Sequence, residues 1–151
     1  KLTLGTVQLG MDYGIANKSG KPDLDKAFEI LKIAVNSGVN SFDTASLYGN
    51  SEEVLGKFFA SEAYKTAVLG TQNSIGVNTA GKDNQPILTT KFKVMLGDNY
   101  TGGNIDDADI QKHIYYWVER SLERLKIKKI PICMLHNAKD MTQYGKIVPE
   151  P

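Results

Sequence analysis

The sequence is short of the residues that build disulfides and metal sites. Its single cysteine, Cys133, has no second thiol with which to form an intrachain disulfide. Because Ile132 and Met134 flank it, we expect Cys133 to be a buried thiol on a strand. The two histidines, His113 and His136, are far apart in the sequence. With one strand cysteine they do not make a ligand set, so no metal site is predicted.

Net charge and long apolar runs are also nearly absent. Eighteen basic residues against seventeen acidic ones leave a net charge of +1, which gives no overall field to attract nucleic acid or an anionic membrane. No apolar run approaches the ~20 residues that a membrane span requires, and no basic-then-apolar signal is recognised. With 41% hydrophobic and 23% charged residues, the composition is typical of a globular domain. We expect a soluble, cytoplasmic protein with a single domain over residues 1–151.

The sequence predicts strands that alternate with helices. Four apolar runs bounded by turn residues are predicted strands: Leu2–Leu9, Val39–Asp43, Ile87–Lys91 and Ile130–Leu135. A first helix is capped by Asp23 and stops at Gly38. A second helix starts after Asn50, which has capping-box spacing to Glu53. A long third helix is predicted over about Asp107–Leu125, where apolar residues recur at helical spacing.

Alternating strands and helices predict an α/β fold with a parallel sheet, because parallel neighbours need a long crossover connection. The polar stretch Thr71–Gln85 is predicted to be an exposed loop or insertion, and Asp140–Val148 to begin a final helix. Two architectures fit: an open doubly wound sheet, or part of a (βα)8 barrel. Gly5, Gly10 and Gly14 lack the spacing of a dinucleotide fingerprint, but periodicity alone leaves both architectures open.

Polar residues stand at the carboxyl ends of three predicted strands. Asp43, Lys91 and His136 occupy these ends, and Tyr48 lies in the loop just beyond Asp43. Each alone is consistent with a turn cap, a solvated strand end or a surface aromatic. Parallel strands would gather them at one rim, where α/β barrels place their chemistry. A close ammonium makes a phenol a stronger acid, so the four residues form a plausible acid/base set.

Several segments carry a resemblance to a known family. They are Gly5-Thr6-Val7-Gln8-Leu9-Gly10, Ser41-Phe42-Asp43-Thr44-Ala45, Tyr48-Gly49-Asn50-Ser51-Glu52, Thr90-Lys91, Ser121-Leu122-Glu123-Arg124-Leu125 and Leu135-His136-Asn137. In order and spacing they resemble the aldo-keto reductase family over nearly the whole chain. The resemblance is closest to bacterial reductases found with surface-polysaccharide pathways.

The resemblance implies a catalytic tetrad and a cofactor. Tyr48 would be the general acid toward the carbonyl oxygen, Lys91 would make it more acidic, Asp43 would pair with the lysine, and His136 would orient the substrate. The family fold is a (βα)8 barrel that binds NADPH and reduces an aldehyde or ketone by hydride transfer. Thr6 and Asp43 would then lie near the nicotinamide ribose, and no metal is required.

The number of strands raises a question about completeness. A barrel of this type needs ~250 residues, so we expect about four βα units, the N-terminal part of the barrel. The chain is then a fragment, a truncated product, or a half-barrel that forms a homodimer. We expect this chain alone to reduce no carbonyl at a useful rate. The alternative from another class is a non-catalytic interaction module that keeps the inherited tetrad.

Overall fold

The computed structural model of the chain describes residues 2–75, 86–93 and 107–137. These residues form four strands and five helices: β1 (Thr3–Gly5), α1 (Val7–Gly10), α2 (Leu24–Asn36), β2 (Ser41–Asp43), α3 (Ser51–Phe59), α4 (Glu62–Ile75), β3 (Ile87–Phe92), α5 (Asp107–Leu125) and β4 (Ile132–Leu135). The helix predicted over Asp140–Val148 lies outside the described residues. None of the described helices is long and apolar enough to cross a membrane.

The four strands form one sheet in the order β1-β2-β3-β4, and every neighbouring pair is parallel. The predicted parallel α/β fold is therefore confirmed. One row of paired residues crosses the whole sheet: Gly5, Asp43, Thr89 and Ile132. The first two strands end at this row, whereas β3 and β4 continue to Phe92 and Leu135. Such a stagger is what a sheet needs to curve into a barrel.

The two faces of the sheet differ in burial. Phe42, Leu88 and Thr90 face the helices and are almost fully buried. Their strand neighbours Asp43 and Lys91 point to the opposite face and are partly exposed, because successive side chains of a strand alternate. The helix-side core is one apolar cluster: Leu9, Ala27, Leu31, Val35, Phe42, Val54, Leu55, Phe58, Ala67, Leu88 and Leu125.

Helix α2 begins and ends as predicted. The side chain of Asp23 accepts a hydrogen bond of 2.8 Å from the backbone N–H of Lys26 and so satisfies one free donor of the first turn. At the other end Gly38 adopts φ +85°, and its N–H donates to the carbonyl of Val35. A left-handed residue of this kind favours glycine and stops the helix.

Helix α3 begins where predicted but is capped differently. Asn50 occupies the N-cap position and makes no side-chain cap hydrogen bond. Its Oδ1 instead accepts a hydrogen bond of 3.1 Å from Nζ of Lys21, in the loop after α1. The capping box predicted from Asn50 and Glu53 is therefore wrong, although the helix boundary is right. The asparagine joins this loop to the start of α3.

The strands predicted to begin at Val39 and Ile130 begin at Ser41 and Ile132, and two other predicted boundaries differ further. The strand predicted over Leu2–Leu9 ends at Gly5, and Val7–Gly10 forms a helical turn. The loop predicted from residue 71 is wrong over residues 71–75, which belong to α4; residues 76–85 lie outside the described part. Ala67 of α4 is buried, and Tyr64 packs against the core beside it. The contact of α4 with the core is made by a small residue, Ala67, and by Tyr64, which carries a polar hydroxyl. The apolar pattern of this helix in the sequence is therefore weak.

The prediction of a buried Cys133 is wrong. Its side chain is exposed, as are its neighbours Ile132 and Met134. The reason is that β4 is the last strand of the described sheet, with no strand beyond it to cover its side chains. Partial desolvation still raises the pKa of the Cys133 thiol, and the nearby negative charge of Glu52 adds to this.

Candidate active site

The parallel sheet brings the four predicted site residues to one rim. Asp43 is the last residue of β2, Lys91 is the last but one of β3, and His136 directly follows β4. The backbone N–H of His136 donates to the carbonyl of Phe92 at 2.8 Å, which fixes its position beside the end of β3. The carboxyl ends of these strands therefore form the candidate active site, at the rim predicted from the sequence.

Lys91 and Asp43 form an ion pair. Nζ of Lys91 lies 2.5 Å from Oδ1 of Asp43 and donates a second hydrogen bond, of 3.0 Å, to the backbone carbonyl of Thr44. The side chains are 15% and 33% exposed, respectively, so water screens the pair less than it screens a surface pair. Two oxygen acceptors thus hold the ammonium group in one place.

Tyr48 lies next to this ammonium group. Nζ of Lys91 is 5.0 Å from the centroid of the Tyr48 ring, within the range of a cation–π contact. The imidazole of His136 meets the same ring edge to face, with centroids 5.6 Å apart and an interplanar angle of 84°. All four predicted residues are therefore in one chain of contacts, from Asp43 through Lys91 and Tyr48 to His136.

Two glycines allow the loop that carries Tyr48 to sit against α1. A Cβ at Gly10 would overlap the backbone carbonyl of Tyr48. Gly49 has φ +56°, and a Cβ there would overlap the carbonyl of Gly10. That carbonyl also accepts a hydrogen bond of 3.3 Å from the N–H of Asn50. Only residues without a side chain fit this contact, which positions Tyr48 over the rim.

A cluster of buried hydroxyl groups lies beneath Asp43. Thr6, Thr44 and Ser51 are all fully buried. Both the N–H and the hydroxyl of Thr6 donate to the carbonyl of Asp43, at 3.0 and 2.8 Å. Oγ of Ser51 lies 2.8 Å from the Thr6 hydroxyl and 3.1 Å from that of Thr44. The contact predicted between Thr6 and a cofactor stays a prediction, and the structure shows its hydroxyl used inside the fold.

A buried carboxylate lies beneath Lys91. Glu52 is 1% exposed, and its Oε1 accepts a hydrogen bond of 2.6 Å from the hydroxyl of Thr90. Its Oε2 lies 3.5 Å from Nη1 of Arg124 on α5. Sequence reasoning gave no role to Ser51, Glu52 or Arg124, although all three stand within the motifs that carry the family resemblance. That position in the motifs was the available signal.

Part of the Asp43 carboxylate at the rim remains open to the hydroxyl group of a ligand. Lys91 is bonded to one carboxylate oxygen of Asp43, and a third of that side chain remains exposed, so the carboxylate can accept from a ribose hydroxyl. Oγ of Ser46, two residues beyond Thr44, is buried with no hydrogen-bond partner among the described residues. Those residues contain no group of three or more side chains suited to a metal ion.

A separate cleft of about 740 Å³ lies between the loop after α1 and the start of α2. Its walls include Gln8, Asn17, Lys21 and Lys26, and none of the four rim residues lines it. The cleft therefore lies apart from the candidate active site. The chemistry of the rim, and not the size of this cleft, identifies the site.

Comparisons with known proteins agree with this geometry. The sequence profile of the Aldo/keto reductase family matches residues 1–150. YrpG of Bacillus subtilis (strain 168), an oxidoreductase that is itself uncharacterized, is 27% identical over 157 residues, covering 97% of this chain and 39% of that protein. The likeness to reductases of surface-polysaccharide pathways stays a prediction.

Solved structures show the same fold. A crystal structure of a Pseudomonas aeruginosa protein assigned to the aldo-keto reductases is 26% identical with a TM-score of 0.62, and the match covers 97% of this chain and 48% of that one. The thermostable aldo-keto reductase Tm1743, in complex with the inhibitor epalrestat, is 18% identical with a TM-score of 0.55, over 95% and 43%. This chain spans half or less of these relatives, so its four-stranded sheet is a partial barrel. It belongs to the aldo/keto reductase family.

Proposed function

We propose that this chain carries the proton-transfer site of an NADPH-dependent reductase that converts an aldehyde or ketone to an alcohol. One observation supports this most: the Lys91 ammonium group lies between the carboxylate of Asp43 and the ring of Tyr48. A fixed cation beside the phenol is the environment expected for a group that donates a proton to a carbonyl oxygen. Tyr48 is therefore the general acid.

Each of the other three residues supports this proton transfer. Asp43 holds the Lys91 ammonium group and balances its charge, so the cation stays beside the phenol. As a substrate carbonyl gains electron density at its oxygen, the proton of Tyr48 moves to that oxygen. His136 lies against the edge of the Tyr48 ring and can donate to the same oxygen, which orients the substrate. The hydrogen transferred to the carbonyl carbon is a hydride that bound NADPH supplies.

The exposed part of Asp43 supports cofactor binding at the rim, with Thr6 fixing the backbone at that point. The phosphates of the cofactor need more of a barrel, because such sites are typically built by the loops after the seventh and eighth strands. The described sheet has four strands. We therefore expect the 151-residue chain alone to bind NADPH weakly. A titration that follows the fluorescence of Trp117 measures this directly, and saturable binding at micromolar NADPH would contradict it.

We infer that the strands needed to close a barrel, beyond the four of the described sheet, would come from a longer chain or from a second copy of this one. Exposed apolar residues lie at both edges of the described sheet, with Leu2 directly before β1 and Met134 on β4, and open sheet edges favour pairing. A homodimer of half-barrels would cover them. Sedimentation velocity of the 151-residue chain measures whether it pairs. A monomer that stays folded across the concentration range would argue against the homodimer.

The test of the proposed activity is NADPH oxidation with an aromatic aldehyde, measured at 340 nm in a form of the protein with a complete barrel. The change Tyr48→Phe removes the acidic hydroxyl and is expected to lower kcat roughly 100-fold or more, because a positioned general acid contributes that much. Tyr115→Phe is the matched control, since Tyr115 is 65% exposed on α5. Equal activity of the two variants would overturn the role of Tyr48.

A further inference from the structure

We propose that Ser51 and Glu52, the first two residues of α3, are positioning residues that hold the two partners of the Asp43–Lys91 ion pair in contact. Ser51 acts on Asp43, and Glu52 acts on Lys91. The inference rests on the proposed function, because it concerns the same proton-transfer site. Neither residue touches the reacting atoms, and each acts through hydrogen bonds beneath the rim.

The Ser51 contacts surround the end of β2. Its Oγ lies 2.9 Å from the backbone carbonyl of Thr6, whose N–H and hydroxyl both bind the carbonyl of Asp43. It also contacts the hydroxyl of Thr44, the residue after Asp43. Its N–H donates at 3.0 Å to the carbonyl of Tyr48. One serine therefore joins the segments that carry the acid and the carboxylate.

The Glu52 contacts fix the strand that carries Lys91. Thr90 precedes Lys91 on β3, and its side chain points to the helix side while the lysine points to the rim. The hydrogen bond of 2.6 Å from Thr90 to Glu52 holds this strand residue to α3. Because adjacent residues of a strand move together, a change at Thr90 displaces the base of the Lys91 side chain.

Helix α3 is itself held in place, so both contacts act from a fixed point. A Cβ at Gly56 would overlap the carbonyl of Arg124, which shows that α3 and α5 touch at their backbones. The guanidinium of Arg124 faces Glu52 and, at 4.0 Å, Glu53. A carboxylate that is 1% exposed is costly to bury without such partners. The adjacent residues Ser51 and Glu52 thus link the segments around Asp43 and Lys91 to one fixed helix.

Chemical labelling of lysines in the 151-residue chain tests the proposal without cofactor or catalysis. The side chain of Lys91 is 15% exposed and its amine is held by two acceptors, so we expect acetylation by an N-hydroxysuccinimide ester to be slow in the parent chain. The isosteric change Thr90→Val removes the hydroxyl that binds Glu52. We expect labelling of Lys91, read by mass spectrometry, to rise about fivefold, as the loss of one hydrogen bond implies. Thr90→Ser, which restores a hydroxyl, should return it to the parent rate.

A second variant tests the contacts of Ser51. Thr44→Val removes the hydroxyl that Ser51 contacts and leaves the Thr44 carbonyl, which binds Lys91, in place. A rise of about threefold in Lys91 labelling is expected. The exposed Lys26 and Lys65 serve as internal references, since neither touches the network.

Val35→Ala is the control for a general loss of stability. Val35 is a buried residue of the apolar core on α2. The Val35→Ala variant should lower Tm at least as much as Thr90→Val while leaving the labelling of Lys91 unchanged. Equal labelling of Lys91 in Val35→Ala and Thr90→Val, or no change in Thr90→Val and Thr44→Val, would overturn the positioning role.

A second readout connects the network to catalysis. In a form of the protein with a complete barrel, Thr90→Val should lower kcat about fivefold with the KM of the aldehyde within twofold, and Thr90→Ser should recover kcat. A purely structural role would lower the amount of active enzyme and would not be reversed by serine alone. Altered labelling without any parent activity would support the positioning and refute the proposed function, so the two failures remain distinct.

Discussion

The centre and the edge of the sheet are built differently. In β2 and β3, the side chains on the helix face are buried in the core that the helices form, and residues on the rim face bond to one another. In β4, Ile132 is 44% and Met134 47% exposed. The described residues therefore pack one half of the site fully, around Asp43 and Lys91, and leave the strand that leads to His136 without cover on its outer side.

The first prediction compares the core under the central strands with the edge. Phe58 is fully buried and meets Phe28 at a centroid distance of 5.3 Å and Tyr64 at 5.6 Å. Phe58→Ala should lower the free energy of unfolding by about 4 kcal/mol, because it leaves a large cavity. Ile132→Ala at the edge should lower it by less than about 1 kcal/mol. Urea-induced unfolding measures both, and similar costs would mean that β4 is covered in solution.

The second prediction concerns the contact that places Tyr48. Gly10→Ala puts a methyl group where the Tyr48 carbonyl lies, and the loop must move. The cost should be about 2–3 kcal/mol, as for other overpacked sites. Gly5→Ala is the matched control, since a Cβ there meets nothing within 4 Å. If Gly10→Ala and Gly5→Ala lower Tm equally, the close approach of α1 to the loop that carries Tyr48 is not required.

The third prediction compares the rim ion pair with one on the surface. Asp43→Asn removes the charge that balances Lys91, which is 15% exposed, and should lower the free energy of unfolding by about 1–2 kcal/mol. Glu29→Gln breaks the exposed pair with Lys26 and should change it by less than about 0.5 kcal/mol. Denaturation at two salt concentrations sharpens this, because only the surface pair is strongly screened. Equal losses of unfolding free energy in Asp43→Asn and Glu29→Gln would mean that water screens the rim pair as strongly as the surface pair.

The sequence was sufficient to predict the features that depend on local pattern. Helix α2 follows from its apolar spacing, from Asp23 as cap and from Gly38 as stop, all local properties of the chain. The gathering of Asp43, Lys91 and His136 follows from strand ends and parallel topology. Neither prediction required knowing which helix packs against which strand.

The features that were missed depend on contacts between distant segments. Glu52 is a charged residue at the start of a helix, and only the approach of Thr90, 38 residues away, and of Arg124, 72 residues away, makes it a buried anchor. Cys133 was predicted to be buried because its neighbours are apolar, but burial depends on the strand that would lie beside β4. Local pattern carries neither kind of information.

The last prediction concerns the thiol on the edge strand and has the smallest effect. Cys133 is exposed, so iodoacetamide should modify it in the folded chain. Desolvation raises the pKa of this thiol, and thiolate is the reactive form. At any pH near the usual thiol pKa of ~8.5, the folded chain therefore contains less thiolate than the unfolded chain and reacts more slowly.

The sign for stability follows from the same shift. A raised pKa means that folding favours the protonated thiol, so this contribution to stability is complete below the pKa of the unfolded chain and is lost as pH rises through that of the folded chain. Mass spectrometry of alkylation across pH, with and without guanidinium, gives both titration curves. A folded curve at lower pH than the unfolded one would reverse the sign. A folded chain that resists alkylation at high pH would instead show that another strand covers β4. The edge of the described sheet would then be packed like its centre.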